Sequence, residues 1–199
     1  MFKTVVIDPP WKKSTGGVGN KTLQASTHYD VQTKEEIIET ALNWFSLNPV
    51  APEAHLYLWA VNTFSGGRNQ GIVPAFDVCR ELGFTPITII PWVKSNVGSP
   101  TPYGMRYTEM CIFGVRYRKG FGKNTRYGGT TTPQNVVSGK GLCSSKDYLV
   151  APRREHSRKP EEFYSWVESR SCGPYLELYS RTVRPKWHGV GNQSGLWKV

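Results

Sequence analysis

The sequence predicts an α/β fold, a mostly parallel sheet with helices on both faces. Three observations predict it. Apolar runs of strand length alternate with segments whose apolar residues recur at helical spacing. The longest apolar runs, TVVI and ITII, are far short of the roughly 20 residues a membrane span needs. No internal repeat and no linker divides the chain, so residues 1–199 are expected to form a single domain.

The elements follow in order. Phe2 to Ile7 is β-rich and stops at Asp8-Pro9-Pro10, because proline cannot donate to a ladder. Residues 12–32 are polar and Gly-rich, a long loop. Thr33 with Glu35 and Glu36 marks a helix start. Ile37, Ile38, Ala41, Leu42 and Phe45 keep helical spacing up to Asn48-Pro49. His55 to Val61 reads as a buried strand. Residues 70–82 carry Ile72, Ala75, Phe76, Cys79 and Leu82 on one helical face, with Gly83 as the cap. Pro86 to Val93 and Arg106 to Val115 are two more strands. A basic loop rich in Gly, Thr and Ser, about 116–146, is inserted after them. Asp147 to Ala151 is a short strand. Pro160 to Arg170 is a helix, with Pro160 near its first position and two glutamates in its first turn. Tyr175 to Tyr179 is a late strand, and the tail is Gly-rich from 189 to 195.

Composition narrows the function. The chain has 25 Lys and Arg against 15 Asp and Glu, a formal charge of +10. A surplus this large favours a polyanionic partner, nucleic acid first. The N-terminus has neither the apolar stretch nor the cleavage site of a signal peptide. A cytoplasmic protein without a membrane partner is therefore expected. Cys79, Cys111, Cys143 and Cys172 are far apart, as are the four histidines. Neither a zinc site nor a disulfide scaffold is expected from that spacing, and reduced, mostly buried thiols are.

The sharpest feature is Asp8-Pro9-Pro10-Trp11, directly after an apolar strand. Ligands of open α/β sheets sit beyond the carboxyl ends of strands. The prolines lack N–H donors, so this turn offers carbonyl acceptors, and Asp8 adds a carboxylate. Together they suit a substrate that donates two hydrogen bonds, an NH₂ group. Trp11 offers a flat face on which a base would stack.

This motif resembles the signature of the MT-A70 family, S-adenosylmethionine-dependent adenine N6-methyltransferases of RNA or DNA. Three later segments match in order: Trp92 to Asn96 (WVKSN), His156 to Tyr164 (HSRKPEEFY), and Leu176 to Arg181 (LELYSR) followed by Trp187 and Gly191-Asn192-Gln193. The resemblance implies a Rossmann-like methyltransferase fold with the catalytic motif ahead of the cofactor motif. It implies a catalytic role for Asp8, Pro9, Pro10 and Trp11. It implies S-adenosylmethionine contacts from Asp8, Lys159, Glu177, Tyr179, Arg181, Asn192 and Gln193, with no metal, and a substrate contact from Tyr29. The segment Thr182 to Pro185 is shorter than the His-Asn-containing segment of eukaryotic members, so contacts made there do not carry over. The chain is expected to be a compact bacterial or phage-type member, without upstream cofactor contacts or an appended RNA-binding module. Each residue also has a plainer reading. Glu177 and Arg181 would serve as a strand-end ion pair, Lys159 as a solvated residue, and His156-Ser157 as a helix cap.

The expected chemistry is direct methyl transfer to adenine N6. Hydrogen bonds accepted by Asp8 and the Pro9 carbonyl would draw the conjugated amine toward tetrahedral geometry. In a duplex the base must first leave the stack. Strand binding falls to Lys12 and Lys13 beside the catalytic turn, and to Lys94, Arg116, Arg118, Lys119, Arg126 and Arg154. DNA is preferred to RNA because the architecture is compact, and a monomer or homodimer, with or without a partner subunit, is expected. Two rivals remain: an amine methyltransferase of proteins or small molecules, whose N-P-P-Y motif differs at Asp8 and Trp11, and a non-catalytic nucleic-acid-binding subunit.

Overall fold

A computed structural model describes residues 1–12, 31–63, 71–101, 104–116, 146–154, 158–191 and 197–198. Its centre is a seven-stranded sheet in the order β10-β8-β1-β2-β6-β3-β7. These strands are β1 (Phe2–Ile7), β2 (Val50–Ala60), β3 (Thr85–Lys94), β6 (Thr108–Arg116), β7 (Leu149–Ala151), β8 (Tyr175–Leu178) and β10 (Trp187–Val190). Two small pairs lie outside it: β4 (Ser99–Thr101) with β5 (Gly104–Arg106), and β9 (Thr182–Val183) with β11 (Trp197–Lys198).

Both faces of the sheet are covered. Val5, Ile7, Leu56, Leu58, Ile112, Leu176 and Leu178 point to one face. There they meet Ile37 and Ala41 of α1 (Lys34–Leu47) and Ala75, Val78 and Cys79 of α2 (Ile72–Glu81). Val6, Tyr57, Trp59, Ile90, Trp92 and Cys111 point to the other face, against Phe163, Tyr164 and Val167 of α3 (Glu161–Glu168). Alternate residues of one strand thus serve two cores, which is why β1 and β2 read as unbroken apolar runs.

The helix signals act as expected. Thr33 caps α1, its side chain accepting from the Glu36 N–H while Glu36 reaches back to the Thr33 N–H at 2.7 Å. Gly83 has φ +80 just past α2, a conformation that favours glycine. Pro160 sits one position earlier than expected, as the extended N-cap of α3. Cys79 and Cys111 are buried free thiols. Among the described residues, no helix is long and apolar enough to cross a membrane.

Two connections shape the site. β1 is parallel to β2 and β8, but β6 is antiparallel to both β2 and β3. The chain passes from β3 to β6 through β4 and β5 without a crossover helix, so β6 returns antiparallel. β10 nevertheless lies parallel to β8 after only residues 179–186. Tyr179 (φ 60) and Lys186 (φ 68), both left-handed, bound that tight return. Sequence patterning gave no strand at β4, β5, β9, β10 or β11; all are short or polar.

Candidate active site

β1, flanked by β2 on one side and β8 on the other, is where successive connections diverge, the place where α/β sheets open a crevice. Asp8 follows the last residue of β1. Tyr179, Ser180 and Arg181 follow β8, and Lys94 ends β3. Because β6 runs backwards, its second residue, Glu109, arrives at this same edge, paired with Trp92 in register. The resulting cleft is lined by Asp8, Arg158, Lys159, Tyr164, Glu177, Tyr179, Arg181, Thr182 and Arg184. Five of the seven residues assigned to the cofactor by sequence therefore converge on one cleft. Asn192 and Gln193 lie outside the described residues.

The Asp-Pro-Pro-Trp turn is held from within. The Pro9 carbonyl accepts the Trp11 N–H at 2.9 Å, and the Pro10 carbonyl accepts the Gln32 N–H at 2.8 Å. Lys12 N–H then donates to the Gln32 carbonyl at 2.8 Å, closing a parallel bridge. Pro9 keeps one carbonyl lone pair for a further donor. Trp11 corrects an expectation. Its ring is 6% exposed, packed in the core on the α1 side, and its indole N–H donates to the Trp59 carbonyl at 2.9 Å. It anchors the turn and presents no open face for a base to stack on.

A chain of alternating charge leads away from Asp8. Lys159 Nζ lies 3.0 Å from Asp8 and 3.2 Å from Glu109, and Lys94 Nζ lies 2.9 Å from Glu109. Lys159 also rests over the Trp59 ring and Lys94 over Trp92. Burial alone would raise the Glu109 carboxyl, but Lys159 and Lys94 overrule it and hold it at about 2. Burial works against the Lys159 ammonium, and Asp8 and Glu109 reverse that to raise it above its ordinary value. Lys159 is therefore a buried, paired cation, not a solvated one. Lys94 is also corrected: its side chain is 4% exposed and committed to Glu109, so it does not face a nucleic acid. Glu109 went unnoticed in the sequence, since only the direction of β6 brings it here.

The opposite wall is built by β8 and α3. Glu177 is buried, accepts a short hydrogen bond from Tyr164 Oη, and receives Ser180 Oγ at 3.1 Å. Burial raises its carboxyl above the usual value despite these donors and Arg184. Its partners include Tyr164, Ser180 and Arg184. Glu161 accepts from three guanidinium groups: Arg184 at 2.6 Å, Arg154 at 3.4 Å and Arg158 at 3.5 Å. Tyr179 donates to Gln32 Oε1 at 2.6 Å and packs edge-on against Trp44. Gln32, also missed in the sequence, thereby ties the Asp8 turn to the turn after β8. Gly191 packs against the turn after β8: a Cβ there would stand 3.0 Å from the Tyr179 Cα and the Ser180 nitrogen, so a side chain would require that turn to give way.

The remaining strand-binding residues divide. Lys12 is exposed beside the turn, and Arg154 is exposed at the cleft rim. Arg116 is a correction. It donates to the Leu82 carbonyl at 2.6 Å and its guanidinium stacks over Phe84, so it closes the end of α2. Lys13, Tyr29, Arg118, Lys119 and Arg126 lie outside the described residues. No group of three metal-binding side chains occurs among the described residues.

Acids at Asp8 and Glu177 and cations at Lys159 and Arg184 suit a small ligand bearing charges of both signs. Comparison with known proteins points the same way. The family model described as MT-A70 matches residues 2–193. The human N(6)-adenosine-methyltransferase catalytic subunit METTL3 is 25% identical over 206 residues, covering 96% of this chain and 28% of its own length. The zebrafish N(6)-adenosine-methyltransferase subunit METTL3 is also 25% identical over 206 residues. The Drosophila N(6)-adenosine-methyltransferase MT-A70-like protein is 22% identical over 202 residues, with 96% and 27% coverage. This chain therefore spans little more than a quarter of the relatives it matches.

Proposed function

The chain belongs to the MT-A70 family, and from that premise we propose that it transfers a methyl group from S-adenosylmethionine to the N6 amine of adenine in nucleic acid, DNA in the first place. The observation that carries this is the placement of Asp8. It stands at the carboxyl end of β1, on the same cleft as Glu177, Tyr179 and Arg181. MT-A70 methyltransferases use S-adenosylmethionine, which supplies an electrophilic methyl on a sulfonium. The mixed acidic and basic lining fits that ligand, which carries an ammonium, a carboxylate and ribose hydroxyls.

The chain's own residues then have definite tasks. Lys159 fixes the orientation of the Asp8 carboxylate through the 3.0 Å ion pair, so that its remaining acceptor capacity serves the N6 amine. The second lone pair of the Pro9 carbonyl takes the other N6 hydrogen. Two accepted bonds would pull the amine out of conjugation and free its lone pair for attack on the methyl carbon; as the C–N bond forms the methyl–sulfur bond would break to leave a neutral thioether, and the surplus N6 proton would pass to the Asp8 carboxylate or to water. Trp11 and Gln32 keep the turn from moving, which is the positional part of catalysis. A negative charge at Asp8 also favours the positively charged transfer. Lys12 and Arg154 contribute phosphate contacts at the rim.

An RNA substrate is the second reading, favoured by relatives whose names give adenosine as the acceptor. The test incubates the protein and its Asp8→Ala variant with labelled S-adenosylmethionine and with double-stranded DNA, single-stranded DNA or RNA. Products are digested and assayed for N6-methyladenine. Label in DNA adenine that is lost in the variant, by about a thousandfold, is the expected result. Label in RNA alone selects the second reading. Nucleic-acid binding without label on any substrate sinks both in favour of a non-catalytic subunit.

A further inference from the structure

The burial of Trp11 leaves a task unfilled at the catalytic edge. Drawing an adenine toward Asp8 takes it out of the stack and strips its neighbours of a contact. Trp11 is packed in the core and offers no ring in exchange. Among the described residues, the exposed Phe, Tyr and Trp side chains are Tyr107 and Tyr148. Tyr148 precedes β7, the edge strand of the sheet. Tyr107 lies at the carboxyl end of β3, where its carbonyl accepts the Lys94 N–H at 2.7 Å. Lys94, Glu109, Lys159 and Asp8 then follow as one run of ion pairs, so this residue is tied to the catalytic turn.

The Tyr107 ring is 45% exposed, and it is seated on backbone. A Cβ on Gly98 would stand 3.2 Å from its Cε2 and Cζ, so the bare glycine lets the ring lie there. Val97 and Met105, on the same β3–β6 connection, are exposed as well. Positive charge stands beside them. Asn96 clamps the backbone of Arg153, accepting its N–H at 2.7 Å and donating to its carbonyl at 3.2 Å. Arg153 itself is exposed, with no ion pair among the described residues. In a chain of formal charge +10, an exposed ring next to an exposed guanidinium matches a polyanion with flat faces. On the reading that this chain methylates adenine in nucleic acid, we propose that Tyr107 stacks on a base flanking the reacting adenine, and that Arg153 takes a phosphate beside it. The ring restores the stacking that the neighbour loses when the adenine turns toward Asp8. Every base has a π-face, so this contact holds the strand without reading its sequence.

The test is fluorescence anisotropy with a labelled strand of about twelve nucleotides, thymidines around a single adenine, and with its uridine counterpart in RNA. Tyr107→Ala should bind about tenfold more weakly, and Tyr107→Phe within about twofold of the unaltered protein. An abasic site beside the adenine should weaken the unaltered protein by a similar factor and Tyr107→Ala hardly further. Arg153→Ala should lower the slope of log affinity against log salt by about one, and Tyr107→Ala should leave it unchanged. Calorimetry with S-adenosylmethionine should give the same affinity for all variants. Undiminished strand binding by Tyr107→Ala overturns the proposal. So does an abasic penalty that persists in full in that variant, or a loss shared by Tyr107→Phe, which would assign the effect to the hydroxyl. Weaker cofactor binding in Tyr107→Ala would overturn it in favour of support for Glu109, two residues on. Unchanged strand binding with altered sedimentation would make this surface an interface with a second copy. If the unaltered protein binds neither strand, the nucleic-acid reading falls and takes this proposal with it. Should thermal melts show Tyr107→Ala unfolded, Tyr107→Leu, which keeps bulk over Gly98 without a ring, decides.

Discussion

Two walls of the cleft are built from charged side chains and balance their charge differently. From Asp8 to Lys94, acid and base alternate, and each buried ammonium meets at least one carboxylate within 3.0 Å. Around Glu161, three guanidinium groups share one carboxylate. The first wall is closed on itself and serves to hold Asp8 rigidly. The second gathers three guanidinium groups around Glu161, with Glu177 3.9 Å from Arg184 as a further acid.

Removing the central acid from each wall tests this contrast. Glu109→Gln leaves Lys94, 4% exposed, without a counter-ion. It should cost about 3 kcal/mol, measured by denaturant unfolding. Glu161→Gln leaves Arg184, 7% exposed, with Glu177 still 3.9 Å away as a counter-ion, and should cost less, about 1–2 kcal/mol. Equal losses would erase the distinction.

Acid titration separates the walls further, once a third group is removed from the curve. Burial holds His55, which hydrogen-bonds to Ser171 at 2.7 Å, down at about 4 from the ordinary histidine value of 6.5. The unfolded chain takes up its proton first, so stability should fall as pH drops from 6.5 to 4, by about 3 kcal/mol in all. His55→Gln should flatten that limb. In that background, Glu109 has its folded value below its unfolded one. Its contribution is present above 4.5 and is lost as pH falls toward 2. Glu177 has the opposite sign. Its folded value is raised, so its contribution is lost as pH rises above 4.5. Glu177→Gln should remove that upper limb, and Glu109→Gln the lower one. Limbs of the same sign would mean the two acids occupy similar environments.

The smallest effect concerns the rim. Arg154→Ala should weaken oligonucleotide binding a few-fold and reduce the slope of log affinity against log salt by about one. An unchanged slope would take Arg154 out of the phosphate contacts.

Much of this was legible in the sequence, and the rest has identifiable causes. The strand and helix pattern came from apolar period, and the cleft from the position of Asp8 after β1. The roles of Lys94 and Arg116 were misread because a basic residue at a strand end looks the same whether it faces solvent or a buried partner. Glu109 needed the reversed direction of β6, which no local pattern encodes. Gln32 and Arg184 act through contacts with distant parts of the chain, so neither belongs to a recognisable motif. Trp11 was placed correctly in the turn, but its burial depended on packing against α1.

The bridge between Trp11 and Gln32 has a consequence for how such a protein can diversify. The chain leaves the catalytic turn at Lys12 and returns to the same place at Gln32, fastened there by paired backbone bonds. What lies between is inserted at a closed neck, and doubling the length of such an excursion costs only about 0.6 kcal/mol in closure entropy. The intervening segment can therefore be lengthened, shortened or exchanged with little disturbance to Asp8.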